Sequence, residues 1–262
     1  MNSNRSGQSD SERAHFDRLI EEHGSVWWGS RTHSGKRRFE LRARTIESLL
    51  RPLAKPDSVA GPLVLEVGCG AAAFTIPLLR VMPNLRLVGT DISEKCLDLA
   101  RRDCAEFPHA RFSCVDAEAM TTAEPLAADR GHFDAVIGNG SLHHLPERKI
   151  LQQSWEMLRP GVLVIFFEPN MMNPQVALQK NVPFIKRMLG DSPTETAFFR
   201  WRLRNLLKEL GYIGIVVEPI DFLHPLIPRF LTGVVEKISA GLERVPGVRE
   251  FGGSLLIKAE KR

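Results

Sequence analysis

Apolar positions along this chain follow two rhythms. From residue 62 onward, short apolar runs recur at 62–67 (PLVLEV), 85–90 (LRLVGT), 110–115 (ARFSCV), 133–138 (FDAVIG) and 161–167 (GVLVIFF), with helix-length amphipathic stretches near 72–81, 94–106, 117–126 and 147–158 between them. Strands apolar on both faces, alternating with helices, predict a parallel sheet covered on both sides. Ahead of this unit, 13–23 and 35–51 read as helices around a connection holding Trp27, Trp28, Gly29 and Gly35, while the polar residues 1–12 carry no apolar period and read as disordered. After Phe167 the rhythm loosens into a Pro-, Asn- and Met-bearing insertion at 169–193, a helix near 194–210 ending at Gly211, and strands at 213–218 and 253–259. Between those last strands, Phe230, Leu231, Val234, Val235, Ile238 and Leu242 fall on one helical face. The chain thus divides into an N-terminal helical extension or lid (1–60) and an α/β domain (61–262) with insertions at 169–193 and 222–251.

Composition narrows the class. With 43% hydrophobic and 25% charged residues, the 262-residue chain has the makings of a soluble domain with a real core. Its longest purely apolar run, Val162 to Phe167, is far below the ~20 residues of a membrane-spanning helix. The polar N-terminus lacks the apolar stretch of a secretory signal, so a cytoplasmic location is expected. Cys69, Cys96, Cys104 and Cys114 form no close pair of the zinc or redox type and read as buried thiols, and no ligand cluster points to a metal. Net charge is +3 over 1–60, −4 over 61–175 and +5 over 176–262, which suits a central domain with a lid made from both ends. The densest basic cluster, Lys36-Arg37-Arg38 with Arg42 and Arg44, shares a helix with Phe39, Ile46, Leu49 and Leu50 and reads as a solvated face.

The chemistry concentrates where the first strand ends, at Glu66-Val-Gly-Cys-Gly-Ala-Ala. Gly68 and Gly70 permit a tight turn and close backbone approach to a ligand, and the helix start beyond them offers N–H groups to an anion. Asp91 ends the second strand, 21 residues past Gly70, where a carboxylate can accept two ribose hydroxyls. Asp116 ends the third, beside the place of an adenine ring. Helix capping explains either acid alone; with the glycine loop, at the same edge of adjoining strands, they predict a nucleoside site.

These residues resemble those of the class I S-adenosylmethionine-dependent methyltransferases over about 60–170. The resemblance implies a Rossmann-like, doubly wound, mostly parallel seven-stranded sheet with an antiparallel last strand, helical lid insertions and S-adenosylmethionine as cofactor. Glu66, Gly68, Cys69 and Gly70 match the first motif; Asp91 and Ile92 match the ribose acid and the residue against the adenine; Asp116 and Ala117 match the adenine-edge pair. Phe133 to Asn139 matches the fourth motif, whose end supports the methionine part, and Leu158-Arg-Pro-Gly161 the fifth. The loop departs from the family once, with Ala72 in place of a third glycine. Nicotinamide dehydrogenases share a glycine loop and an acid, but with another spacing and without the Asp116 and Leu-Arg-Pro-Gly features.

Absences narrow the acceptor. The fourth strand ends in Asn139-Gly-Ser-Leu142 instead of the Asn/Asp-Pro-Pro-aromatic box of amino-methylating nucleic-acid and glutamine enzymes, and no Pro-Cys dipeptide occurs. Ser141-Leu-His-His-Leu145 resembles small-molecule and quinone-type members. A hydrophobic or amphipathic small molecule (lipid-, quinone- or polyketide-like) is therefore expected, with His143 and Glu168 as catalytic candidates and nucleic acid an unlikely partner. The alternatives are an RNA or protein methyltransferase and a non-catalytic partner subunit. Trp27, Trp28, Met171, Met172, Phe184, Phe198, Phe199 and Trp201 lie in stretches expected to build the lid. The 222–251 helix has three readings: cover of a greasy pocket, peripheral membrane contact aided by Arg229, Lys237, Arg244 and Arg249, or self-association as a homodimer.

Overall fold

A computed structural model describes residues 3–24, 30–53, 61–188, 192 and 195–262. Trp27, Trp28 and Gly29 lie outside the described residues. The central sheet contains β1 (Leu63–Val67), β2 (Arg86–Asp91), β3 (Ala110–Cys114), β4 (Phe133–Asn139), β5 (Leu158–Pro169), β6 (Ile213–Ile220) and β7 (Ser254–Glu260). Its order is β3-β2-β1-β4-β5-β7-β6. The first five strands run parallel, and β7 pairs antiparallel with both β5 and β6, as the resemblance implied.

Side-chain alternation builds two cores from one sheet. Leu65, Val88, Val136 and Val164 pack on one face, and their neighbours Val64, Leu87, Ala135 and Ile165 on the other. The helices are α1 (Ser3–His23), α2 (His33–Leu50), α3 (Thr75–Val81), α4 (Glu94–Asp103), α5 (Glu147–Met157), α6 (Pro174–Asn181), α7 (Pro183–Met188), α8 (Arg200–Glu209) and α9 (Thr232–Leu242). The second face is closed partly by α2, whose Ala43, Ile46 and Leu50 are fully buried.

Several elements depart from the pattern-based expectation. Helix α1 begins at Ser3, so residues 3–12 are helical: once the later turns are anchored, each further residue adds a hydrogen bond without needing an apolar face. The 117–126 stretch forms two 3-10 segments, Ala117–Thr122 and Glu124–Asp129, separated at Ala123, whose backbone is extended. The expected 194–210 helix starts only at Arg200, since Phe198 pairs with the end of β5 through its N–H to Pro169 O (3.0 Å) and its carbonyl to Met171 N (2.9 Å). The 169–193 insertion holds α6, capped by the Asn173 side chain, and α7. Cys114 is exposed, unlike the other three thiols.

The solvated-face reading of the α2 basic cluster holds for the exposed Lys36 and Arg44 and is corrected for Arg38 and Arg42. Arg42 is 8% exposed and Arg38 also turns inward, both against Asp221, because α2 lies across the carboxyl edge of the sheet. Arg38 Nε and Arg42 Nη2 approach Asp221 Oδ2 at 2.6 and 2.9 Å, and both side chains donate to Ser254 Oγ. Burial alone would raise the Asp221 pKa; the two arginines outweigh it and hold the carboxyl below its ordinary range. Asp221→Asn should cost about 3–5 kcal/mol, because two buried cations lose their counter-charge. Since the folded pKa is depressed, the stabilisation is full above the ordinary 3.8 and is lost as pH falls through the folded value. Chemical denaturation against pH therefore shows a flatter acid limb for the variant; an unchanged limb contradicts the clasp.

Candidate active site

The glycine loop leaves β1 through three residues with left-handed backbone, Gly68 (φ +69°), Gly70 (φ +52°) and Ala72 (φ +62°). This winding delays α3 to Thr75, later than the periodicity suggested, and Ala72 adopts the conformation despite its Cβ. Gly68 N and Cys69 N both donate to Thr90 O (2.8 and 3.0 Å), fastening the loop to β2. Gly70 N donates to Asp91 Oδ2 (2.9 Å), and Asp91 Oδ1 accepts from Ser93 N (2.9 Å). Burial raises the Asp91 pKa, while these backbone bonds oppose the rise. Behind the loop, burial pushes the Glu66 carboxyl up to about 7, although Thr75 Oγ1 donates to it at 2.7 Å.

The loop opens on a cavity of about 410 Å³ along the carboxyl edge of the sheet. Every cofactor-binding and catalytic candidate named from the sequence lines it: Glu66, Gly68, Cys69, Gly70, Asp91, Ile92, Asp116, Ala117 and Asn139, together with His143 and Glu168. Asp116 also caps the turn that follows, accepting from Glu118 N at 2.8 Å, so capping and cavity lining coincide. Among the described residues, the aromatic and methionine lid candidates are not in the lining: Met171, Met172, Phe184, Phe198, Phe199 and Trp201 all lie elsewhere, and Phe199 stacks on Trp201 (centroids 4.8 Å apart). The cover comes from α1, α2, α6 and residues 221–224 instead, with His224 Nε2 2.7 Å from Gln175 Nε2.

At the other end of the cavity, Glu168 is almost fully consumed by the turn after β4. Its Oε1 accepts from Ser141 N and Leu142 N (3.1 and 2.8 Å), and its Oε2 accepts from His143 N (3.2 Å) and meets His143 Nδ1 (2.7 Å). His143 Nε2 lies 3.1 Å from Glu195 Oε1, which also pairs with Lys180. Burial opposes charge on His143, but the hydrogen bonds its protonated ring donates to Glu168 and Glu195 outweigh it and raise the ring to about 9. Burial would likewise raise Glu195, yet His143, His144 and Lys180 hold it far below its ordinary range. Ligand atoms of His143, His144 and Glu195 lie within 4.8 Å of one another, a spacing a metal could use, but the Lys180 ammonium already sits on the Glu195 oxygen.

Sequence reasoning missed Arg42, Lys180 and Glu195. Arg42 Nη1 donates to Asn139 Oδ1 (2.6 Å), and its guanidinium lies 5.2 Å from the Phe167 ring centroid. A signal existed: Arg42 falls in the apolar stripe Phe39, Ala43, Ile46, Leu50, where a solvated arginine has no place. Glu195 itself lies in no helix or strand and left no periodic trace.

Residues 64–161 match the family described as a methyltransferase domain. Trans-aconitate 2-methyltransferase of Deinococcus radiodurans is 28% identical over 139 residues, 52% of this chain and 46% of that protein. A ubiquinone biosynthesis O-methyltransferase of Roseobacter denitrificans is 31% identical over 117 residues, 44% of each chain. Residues 64–161 form a class I S-adenosylmethionine-dependent methyltransferase domain. The chain spans less than half the length of these two curated relatives. A solved S-adenosylmethionine-dependent methyltransferase of Thermotoga maritima, a possible histamine N-methyltransferase, shares the fold at TM-score 0.61 and 16% identity, covering 95% of this chain and 99% of that one.

The methyltransferase domain fits its family's cofactor in two respects. A Cβ added at Gly70 would meet no atom within 4 Å, so the loop leaves open space where a nucleoside would lie. Ser141 Oγ, buried at the cavity wall, has no hydrogen-bond partner among the described residues. Gly68 has no such freedom, as its added Cβ would stand 2.7 Å from Ser141 Cβ. Gly68→Ala should therefore cost about 2–3 kcal/mol, combining left-handed strain with that clash, and Gly70→Ala only about 1–2 kcal/mol of strain. Denaturant midpoints of the two variants test this; equal losses contradict the steric difference.

Proposed function

We propose that this chain transfers the methyl group of S-adenosylmethionine to a hydrophobic or amphipathic small molecule, with residues 1–60 covering a domain formed by 61–262. The observation that carries the reading is one cavity in which the glycine loop, Asp91, Asp116 and the His143–Glu168 pair all meet. Bound S-adenosylmethionine supplies an electrophilic methyl on a sulfonium. Asp91 receives the ribose hydroxyls, Ile92 packs on the adenine, and Asp116 with the Ala117 N–H meets its edge. Glu66, Gly68, Cys69 and Gly70 form the wall behind. Asn139 and Arg42 stand at the methionine end, where the buried guanidinium offers a cation to a carboxylate.

His143 is the proton acceptor in this reading and Glu168 its positioning residue. Glu168 fixes Nδ1, leaving Nε2 as the atom that can take a proton from an acceptor once Glu195 yields it. The rest of the rate comes from holding the acceptor in line with the sulfonium methyl. An RNA acceptor is less well supported, because three of the α2 arginines are engaged within the protein: Arg37 pairs with Glu236 and Glu40, and Arg38 and Arg42 with Asp221.

Radiolabelled methyl transfer to a panel of long-chain phenols, carboxylates and thioesters, with bulk RNA and protein as comparisons, tests the acceptor class. Label is expected in the organic extract; label in RNA or protein alone contradicts it. Asp91→Ala should weaken S-adenosylhomocysteine binding at least tenfold, about 1.4 kcal/mol, by calorimetry; an unchanged constant removes the ribose assignment. His143→Gln should lower kcat at least a hundredfold with cofactor affinity unchanged. In the parent enzyme, kcat/KM should climb with pH through about 9 and level off above it, as His143 loses its proton. Over the same range His143 stabilisation, full below the ordinary 6.5, is lost as pH rises through about 9. A flat rate profile rules out His143 as base.

A further inference from the structure

Beyond the cavity-lining residues 222–224, the segment between β6 and β7 lies on the surface with its polarity reversed. The polar side of α9 faces the protein. Thr232 Oγ1 shares a 2.8 Å hydrogen bond with Ser34 Oγ of α2, and Glu236 accepts from Arg37 Nε and Nη2 at 2.9 and 2.8 Å. Ser239 Oγ accepts from Phe222 N (3.0 Å), and Glu243 Oε1 from Asp221 N (2.8 Å). Positions 232, 236, 239 and 243 are one face of a helix, so these bonds fix its rotation. The apolar side, expected as a pocket cover in one of the sequence readings, points away from the cavity: Phe230, Val234 and Ile238 are 81, 56 and 53% exposed. Leu226 ahead of the helix (74%) and Val245 after it (45%) extend the patch.

Charge on this face has one sign. Lys237 and Arg244, seven residues apart, run along one edge of the apolar stripe, and with Arg229 they make no ion pair among the described residues. Arg249, expected to join them, pairs instead with Glu218. The acids of the segment are engaged elsewhere: Glu236 and Glu243 turn inward, and Glu250 pairs with Arg200. A second copy of this face therefore offers no counter-charge, whereas an anionic lipid surface offers both an apolar interior and negative headgroups.

We propose that α9 and its flanks dock this protein on anionic lipid bilayers, lying in the interface with Phe230, Val234 and Ile238 inserted and Lys237 and Arg244 at the headgroups. Among the described residues no helix is long and apolar enough to cross a membrane, so the contact is peripheral. The docking rests on this surface alone and stands whatever the methyl acceptor is.

The test is co-sedimentation of the full chain with phosphatidylcholine vesicles, with and without phosphatidylglycerol. Binding to the anionic vesicles is expected, weakening as salt is raised. One headgroup contact contributes about fivefold in affinity, so Lys237→Glu/Arg244→Glu should bind at least tenfold more weakly. Phe230→Ser/Ile238→Ser should lose at least tenfold too, and because all four positions are exposed both variants should keep the parent's unfolding midpoint. Equal binding to neutral vesicles, no binding to either, or variants that bind like the parent would overturn the proposal. So would a concentration-dependent dimer in sedimentation velocity that Phe230→Ser/Ile238→Ser abolishes, since the face would then belong to a second copy.

Discussion

One guanidinium joins the parts of this molecule that would otherwise be separate. Arg42 reaches from α2 to Asn139 at the end of β4, to Ser254 at the start of β7 and to Asp221 just past β6, while lying over Phe167 of β5. Putting a cation there is costly: burial, then the neighbouring Arg38, pulls its pKa down to about 10. The cost is offset only because Asp221 and two further hydrogen-bond acceptors, Asn139 and Ser254, converge on it, and because its helix brings Ala43, Ile46 and Leu50 into the core on the same turns. The cavity is consequently closed by a helix whose position depends on charge as well as on packing. Losing one partner would disturb cover and cofactor edge together.

The opposite end of the cavity is organised around Glu168, which takes three backbone N–H groups from the turn after β4 and orients the His143 ring. Two carboxylates flanking one imidazole favour its protonated form, so the structure displays a histidine held by Glu195. In the proposed reaction, an acceptor that reaches His143 takes the place of that carboxylate. Since Glu195 follows β5 and is held by Lys180 from α6, the segment after β5 couples cavity cover to the protonation of His143.

Much of the fold was legible because parallel strands buried on both faces leave continuous apolar runs, and because Gly68, Gly70, Asp91 and Asp116 each mark a strand end. What the sequence concealed was of two physical kinds. Elements held by backbone pairing or capping, such as Phe198 bridged to Asn170 and the 3-10 turns at 117–129, carry no apolar period. Side chains whose role depends on distant partners were misread: Arg42 looked solvated beside Arg37 and Arg38, because Asp221 lies about 180 residues away. The α9 helix shows that amphipathicity fixes a stripe but not its direction, which Ser34, Arg37 and the backbone N–H groups of Asp221 and Phe222 decided.

The central claim is that this cavity is built for S-adenosylmethionine. The most direct measurement is the thermal unfolding midpoint with S-adenosylhomocysteine, S-adenosylmethionine or NAD added separately. At a hundred times its dissociation constant a ligand adds about 2.7 kcal/mol, which should raise the midpoint by roughly 5–10 °C for a domain of this size. A rise with both sulfur nucleosides and none with NAD is the result the structure predicts. No rise with either nucleoside in a folded sample, or a rise with NAD instead, would contradict it.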